Sequence, residues 1–169
     1  MTKQIAFLRG INVGNIRIKM PALKIAFEQV GCQDVKTYLQ TGNVVFESDK
    51  TTEQIKPILE AHLSTTFNYE AYVLLYDFEL LADIIANYPF ERADSHHAYV
   101  IFVDNKAILE DLTMVALELN ESIKKGESVI YWKVARGQST DSPFAKILSK
   151  AKYKANTTVR NLNTLEKMG

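Results

Sequence analysis

Between Lys3 and Tyr76 the apolar spacing switches between two periods, and the order of the switches restricts the fold more than any single residue does. "KQIAFLR" alternates as a strand does. "PALKIAFEQVG" then carries Leu23, Ala26, Phe27 and Val30 at helical spacing, with Pro21 in its first turn and Gly31 as its stop. "VKTYLQ" and "NVVFES" are strand-like runs around Thr41-Gly42, which reads as a hairpin turn. "TTEQIKPILEAHLSTTF" returns to helical spacing through Ile55, Ile58, Leu59 and Leu63, with Thr51 or Thr52 as its cap and Pro57 early in the helix. "EAYVLLY" closes the series. The order is βαββαβ, the ferredoxin-like unit.

The order then recurs without visible sequence similarity. "DFELLADIIANY" is a helix capped by Asp77, "HAYVIFV" a strand and "KAILEDL" a short helix. "ALELNES" and "SVIYWKV" are strands around "KKGE", "SPFAKILSKA" is a helix, "NTTVRN" a short strand and "NLNTLEKM" a closing helix. The expected architecture is therefore α+β, with two ferredoxin-like halves, residues 1–76 and 77–169, packed together. At 169 residues, 47% apolar and 24% charged, the chain has the composition of a folded globular protein.

Lysine plus arginine and aspartate plus glutamate each number 20, so no global field draws the chain to nucleic acid, and any such binding needs a local basic patch. The single cysteine, Cys32, excludes an intrachain disulfide and reads as a small core residue. The apolar run "IAFL" ends at Arg9, too short for a signal peptide or membrane span, and a cytoplasmic location is expected.

In a βαββαβ unit, strands one and three are antiparallel neighbours. The loop Arg9–Lys19 therefore meets the "LQTGNVV" hairpin at one sheet edge, where Gln40, Thr41 and Asn43 converge with Arg9 and Asn12. Arginine grips a carboxylate or phosphate with two parallel bonds, and Asn and Gln offer both donors and acceptors to orient a ligand. No P-loop or dinucleotide fingerprint is present. The competing structural role is loop anchoring, with the glycines serving the turns.

"RGINVGN", "KMPALKIAFEQVGCQDVKTYLQTGNVVFES" and "TTVRNLNTLEKM" together resemble the domain-of-unknown-function family 1697 across nearly the whole chain. The matching positions are Arg9, Gly10, Asn12, Gly14, Lys19, Tyr38, Gln40, Gly42 and Asn43, then Thr158, Arg160, Asn161, Asn163 and Thr164. The resemblance implies a compact α+β protein with ferredoxin-like halves and brings no activity, substrate or cofactor. Asn15, Thr41 and Leu162 depart from the pattern, and "NYPF" inserts Tyr88 into its usual N-P-F. The dense polar groups of "TTVRNLNT" suggest that Arg160, Asn161 and Asn163 join Arg9 and Asn12 in one pocket. Asn161 or Asn163 capping the last helix is the structural alternative.

His96 and His97 are adjacent, so on a strand they point to opposite faces and cannot easily share a metal. His62 stands alone, and no metal or other cofactor is expected. Lys133, Arg136, Lys146 and Lys150 surround a loop with Gly137, Ser139 and Ser142, where a helix start capped by Ser142 or Asp141 beside basic residues can bind an anion, although a solvated basic rim is the preferred reading. These serines have no His/Asp partners for hydrolysis. The function that fits is binding of a small anionic or nucleotide-like ligand by Arg9, Asn12, Lys19, Gln40, Asn43, Arg160, Asn161 and Asn163. The alternatives are RNA or DNA binding, with Phe7 and Phe46 on strands one and three, and a protein-interaction module without catalysis. The sequence assigns neither a reaction nor an oligomeric state.

Overall fold

The computed structural model describes residues 1–11, 16–38, 42–114, 121–137, 142–153 and 156–169. The backbone divides into two units, built on Met1–Leu81 and Ala82–Lys167.

The first unit runs β1 (Thr2–Arg9), α1 (Met20–Gln29), β2 (Gln33–Tyr38), β3 (Asn43–Ser48), α2 (Thr52–Phe67), β4 (Tyr72–Asp77). Its strands form one antiparallel sheet in the order β2-β3-β1-β4, so the first and third strands are central as expected. Leu23, Ala26 and Phe27 of α1 and Ile55, Leu59 and Leu63 of α2 cover one sheet face, meeting Ala6, Leu8, Val44 and Phe46. Each large side chain buried this way contributes about 1.5–3 kcal/mol. Ile58 lies off this stripe and is 39% exposed, because the residue just before sheet-facing Leu59 is turned about 100° away from it. Thr51 caps α2 and exchanges side-chain and backbone bonds with Gln54. Cys32 is buried among this core and burial pushes its thiol to about 11, which suits a packing role.

The second unit is entered through α3 (Leu80–Ala86) and continues β5 (His96–Val103), α4 (Lys106–Thr113), β6 (Glu121–Lys125), β7 (Val129–Ala135), α5 (Pro143–Leu148), β8 (Thr157–Asn161), α6 (Leu162–Met168). Its sheet has the order β6-β7-β5-β8, the same topology on unrelated residues. Ile101, Val103, Ile130, Trp132, Leu112 and Phe144 make its core. Glu121 is buried there, accepting from Trp132 Nε1 at 2.9 Å and from the Phe144 amide at 3.4 Å. One carboxylate thus ties β6, β7 and the start of α5 together.

Several boundaries differ from the sequence reading. Lys124 and Lys125 belong to β6, and the turn is Gly126–Ser128, closed by Gly126 N–H to Val129 O at 2.8 Å. Left-handed Ser128 (φ 62°) makes the reversal that "KKGE" seemed to supply. Residues 115–120, the body of "ALELNES", and Thr41 in the first hairpin lie outside the described residues. Asp77 ends β4 instead of capping α3, which begins three residues later. Among the described residues no helix is long and apolar enough to cross a membrane.

Candidate functional site

In the first unit the expected loop–hairpin contact exists. Phe7 pairs with Asn43, and the Leu8 amide donates to Gly42 O at 2.8 Å. A Cβ at Gly42 (φ +86°) would lie 2.8 Å from Leu8 Cβ and 2.9 Å from Ile11 Cδ1, so the hairpin closes onto the opening loop only because this position lacks a side chain. Asn43 is fully buried and donates from Nδ2 to Tyr38 O at 2.9 Å, which commits it to the hairpin. Lys19 is exposed at the start of α1. Arg9 is half-buried at the end of β1. Its Nε is buried with no hydrogen-bond partner among the described residues, and burial pulls its guanidinium below the usual range. Asn12 and Gln40 lie outside the described residues.

The C-terminal motif divides. Arg160 is buried and donates from Nη1 to Thr158 Oγ1 at 2.7 Å and Val159 O at 2.9 Å. Asn161 caps α6, its side chain accepting from the Asn163 amide at 2.8 Å. Asn163 turns outward, where its Oδ1 accepts from Arg92 Nη2. Asn161 and Asn163 share one cleft, whereas Arg9, Lys19 and Asn43 belong to the first unit.

That cleft, of about 410 Å³, lies wholly within the second unit, a volume in the range of small-ligand sites. Because β5 runs antiparallel to both neighbours, its amino end lies between the carboxyl ends of β7 and β8. His96, His97 and Ala98 of β5 form the centre. Lys133 and Arg136 come from the β7 side, Asn161 and Asn163 from the β8–α6 side, and Tyr88, Glu91, Arg92 and Asp94 from the 87–95 connection. The histidines point to opposite sheet faces, as the alternation requires, yet both reach the cleft because it wraps the strand's end.

Two arginines pin the 87–95 connection from opposite sides. Arg136 donates from Nε to Asp94 O while its amide donates to Ser95 O at 3.0 Å. Arg92 Nη1 meets Glu166 Oε1 of α6 at 3.0 Å. Lys133 and Arg136 have no carboxylate partner among the described residues, although Glu91 and Asp94 also line the cleft. Burial, then the charge of Arg136, hold His97 below its usual 6.5. Ser95 Oγ lies 2.8 Å from His96 Nδ1. The Tyr88 hydroxyl is buried without a hydrogen-bond partner among the described residues, and burial pushes it up against the opposing pull of Arg92.

This arrangement can hold an anion. It combines a lysine and an arginine without carboxylate partners among the described residues, two imidazole rings, and amide side chains that orient. From the sequence, Lys133 and Arg136 read as a solvated basic rim in preference to an anion site, and Arg92 carried no signal of its own. The available signal was the proximity in space of "ERADSHH", which leads into β5, and "KVAR", which ends β7.

Fold and site together define an α+β protein of two ferredoxin-like units, the second bearing a cationic cleft. The chain belongs to the family described as Protein of unknown function (DUF1697), whose model matches residues 1–131. Lys133, Arg136, Asn161 and Asn163 lie beyond that match. The chain is also similar in structure to the conserved bacterial protein SP0830 from Streptococcus pneumoniae, with a TM-score of 0.83 at 23% identity, covering 99% of this chain and 96% of that one. That likeness concerns the fold. No curated protein sequence matches the chain.

Proposed function

We propose that this protein binds a small anionic or nucleotide-like ligand, in the cytoplasm, with the cleft of the second unit as its principal site. The observation that carries the reading is the pairing of Lys133 and Arg136, without carboxylate partners among the described residues, beside His96 and His97 in a ligand-sized hollow. A phosphate or carboxylate would supply the missing counter-charge through charge-assisted hydrogen bonds. Arg9 is proposed as an anion contact of the first unit on the strength of its buried Nε, which has no hydrogen-bond partner among the described residues. Lys19, Asn43 and Arg160 remain proposed contributors through the motifs, Asn43 and Arg160 already holding structural bonds of their own. Nucleic-acid binding draws less support, since Phe7 and Phe46 are both fully buried and offer no stacking surface.

Thermal unfolding against inorganic phosphate tests the reading. A ligand at about one hundred times its dissociation constant adds about 2.7 kcal/mol. For a chain of this size that raises the melting point by about 5–10 °C. Lys133→Ala and Arg136→Ala should each weaken binding about ten-fold; the ligand-free melting point should change little for Lys133→Ala and fall by a few degrees for Arg136→Ala, which also releases the Asp94 carbonyl. No response to phosphate, or a response that both variants retain, would refute the cleft as the site.

A further inference from the structure

The cleft's cations fall into two groups that the fold holds apart. In the sheet order β6-β7-β5-β8, strand β5 separates β7 from β8. Neighbouring strands lie about 4.8 Å apart, so the β7 and β8 backbones stand about 10 Å from each other. Lys133 and Arg136 come from the β7 side, and Arg136 is fastened to the carbonyl of Asp94. Arg92 is fastened to the other side, its two Nη atoms divided between Glu166 and Asn163 of α6. Among the described residues the first group has no carboxylate partner, whereas the second already holds one. Both partners of that ion pair are close to half exposed, 44% for Arg92 and 46% for Glu166, so it is weak enough for an incoming anion to displace.

Resting on the anion-binding reading above, we infer that the ligand carries two anionic groups, one held by Lys133 and Arg136 and the other taking Arg92 from Glu166. Glu166 acts as an internal competitor. A ligand with one small anionic group fills the β7 side and leaves the Arg92–Glu166 pair intact. One with two groups bridges β5 and presents Arg92 with a carboxylate or phosphate able to accept both of its Nη donors, which the divided Glu166 and Asn163 acceptors do not. Tyr88, whose buried hydroxyl has no hydrogen-bond partner among the described residues, also lines the cleft.

Calorimetric titration without divalent cations, using the full chain, separates the possibilities. The probes are orthophosphate, pyrophosphate and glutarate, the last two distinguishing a diphosphate from a dicarboxylate source. The proteins are wild type, Glu166→Gln, Arg92→Ala and Lys133→Ala. Glu166→Gln should tighten whichever two-group probe fits by about two- to five-fold and leave orthophosphate unchanged. Arg92→Ala should abolish the advantage of that probe over orthophosphate. If wild type binds orthophosphate through Lys133 while Glu166→Gln and Arg92→Ala leave every ratio unchanged, the two-group inference is overturned and the anion site stands. If wild type binds none of the probes, or Lys133→Ala binds all of them as well as wild type, the anion-binding reading itself fails.

Discussion

The two units share a topology, and the same edge of each sheet has opposite character. In the first unit, the amino end of β1 meets the carboxyl ends of β3 and β4 with most of its polar groups tied into the edge, the buried Gln4 Oε1 being the exception among the described residues. Buried Gln4 donates from Nε2 to Lys50 O at 2.7 Å, and the Phe78 amide donates to Lys3 O at 3.0 Å. Lys3 Nζ lies 4.1 Å from the Phe78 ring centroid, and the N-terminal amine lies 3.7 Å from Asp49. In the second unit, the amino end of β5 meets the carboxyl ends of β7 and β8 around a cleft whose lysine and one arginine have no carboxylate partner among the described residues. The ferredoxin-like frame therefore supplies strand ends at fixed spacing, and local side chains decide whether an edge closes on itself or opens to a ligand.

The largest effect that separates structure from site is expected at Gly42. Gly42→Ala puts a methyl group into Leu8 and Ile11 at positive φ, and should cost about 2–4 kcal/mol in denaturant unfolding. Anion affinity in the second unit's cleft should persist in the folded fraction. A neutral Gly42→Ala would show that the hairpin does not depend on this close approach.

A smaller effect is expected from pH. His97 is held below 6.5 in the folded protein, so the unfolded chain takes up its proton at a higher pH. This stabilising contribution is present above pH 6.5 and is lost as pH falls through the folded value. A bound anion favours the protonated ring and opposes that loss. Melting points from pH 7.5 to 5 should therefore decline more steeply without phosphate than with it. Parallel curves would remove His97 from the site.

The smallest effect is expected at Arg9. Arg9→Met removes a donor that has no partner among the described residues and keeps an apolar stem, so stability should change by less than about 1 kcal/mol. A loss of several kcal/mol would identify Arg9 as a structural tie of the first unit.

The frame was legible because periodicity reports burial. The 23/26/27 stripe of α1 and the alternation of β1 and β5 each follow from one face meeting a core. Gly42 was legible as a turn, although its contact with Leu8 and Ile11 depends on tertiary approach. The cleft was hard to read because Arg92, His97 and Arg136 come together only through sheet order, which brings "ERADSHH" beside "KVAR". Asn161 and Asn163 show the converse difficulty. One motif places two asparagines together, and the structure gives the first to capping α6 and the second to Arg92. Glu121 looked like an ordinary strand residue, and only packing against Trp132 and Phe144 gives its carboxylate a role.

The most direct test of the anion cleft follows the three histidine rings by NMR as pyrophosphate is added. His62 lies in the first unit, within 2.9 Å of Gln29, and serves as an internal control, whereas His96 and His97 line the cleft. If the cleft is the site, the His96 and His97 ring signals shift in a saturable way, with His97 titrating at a higher pH in the bound state, while His62 stays fixed. Equal movement of all three rings, or none, would contradict the cleft as the site.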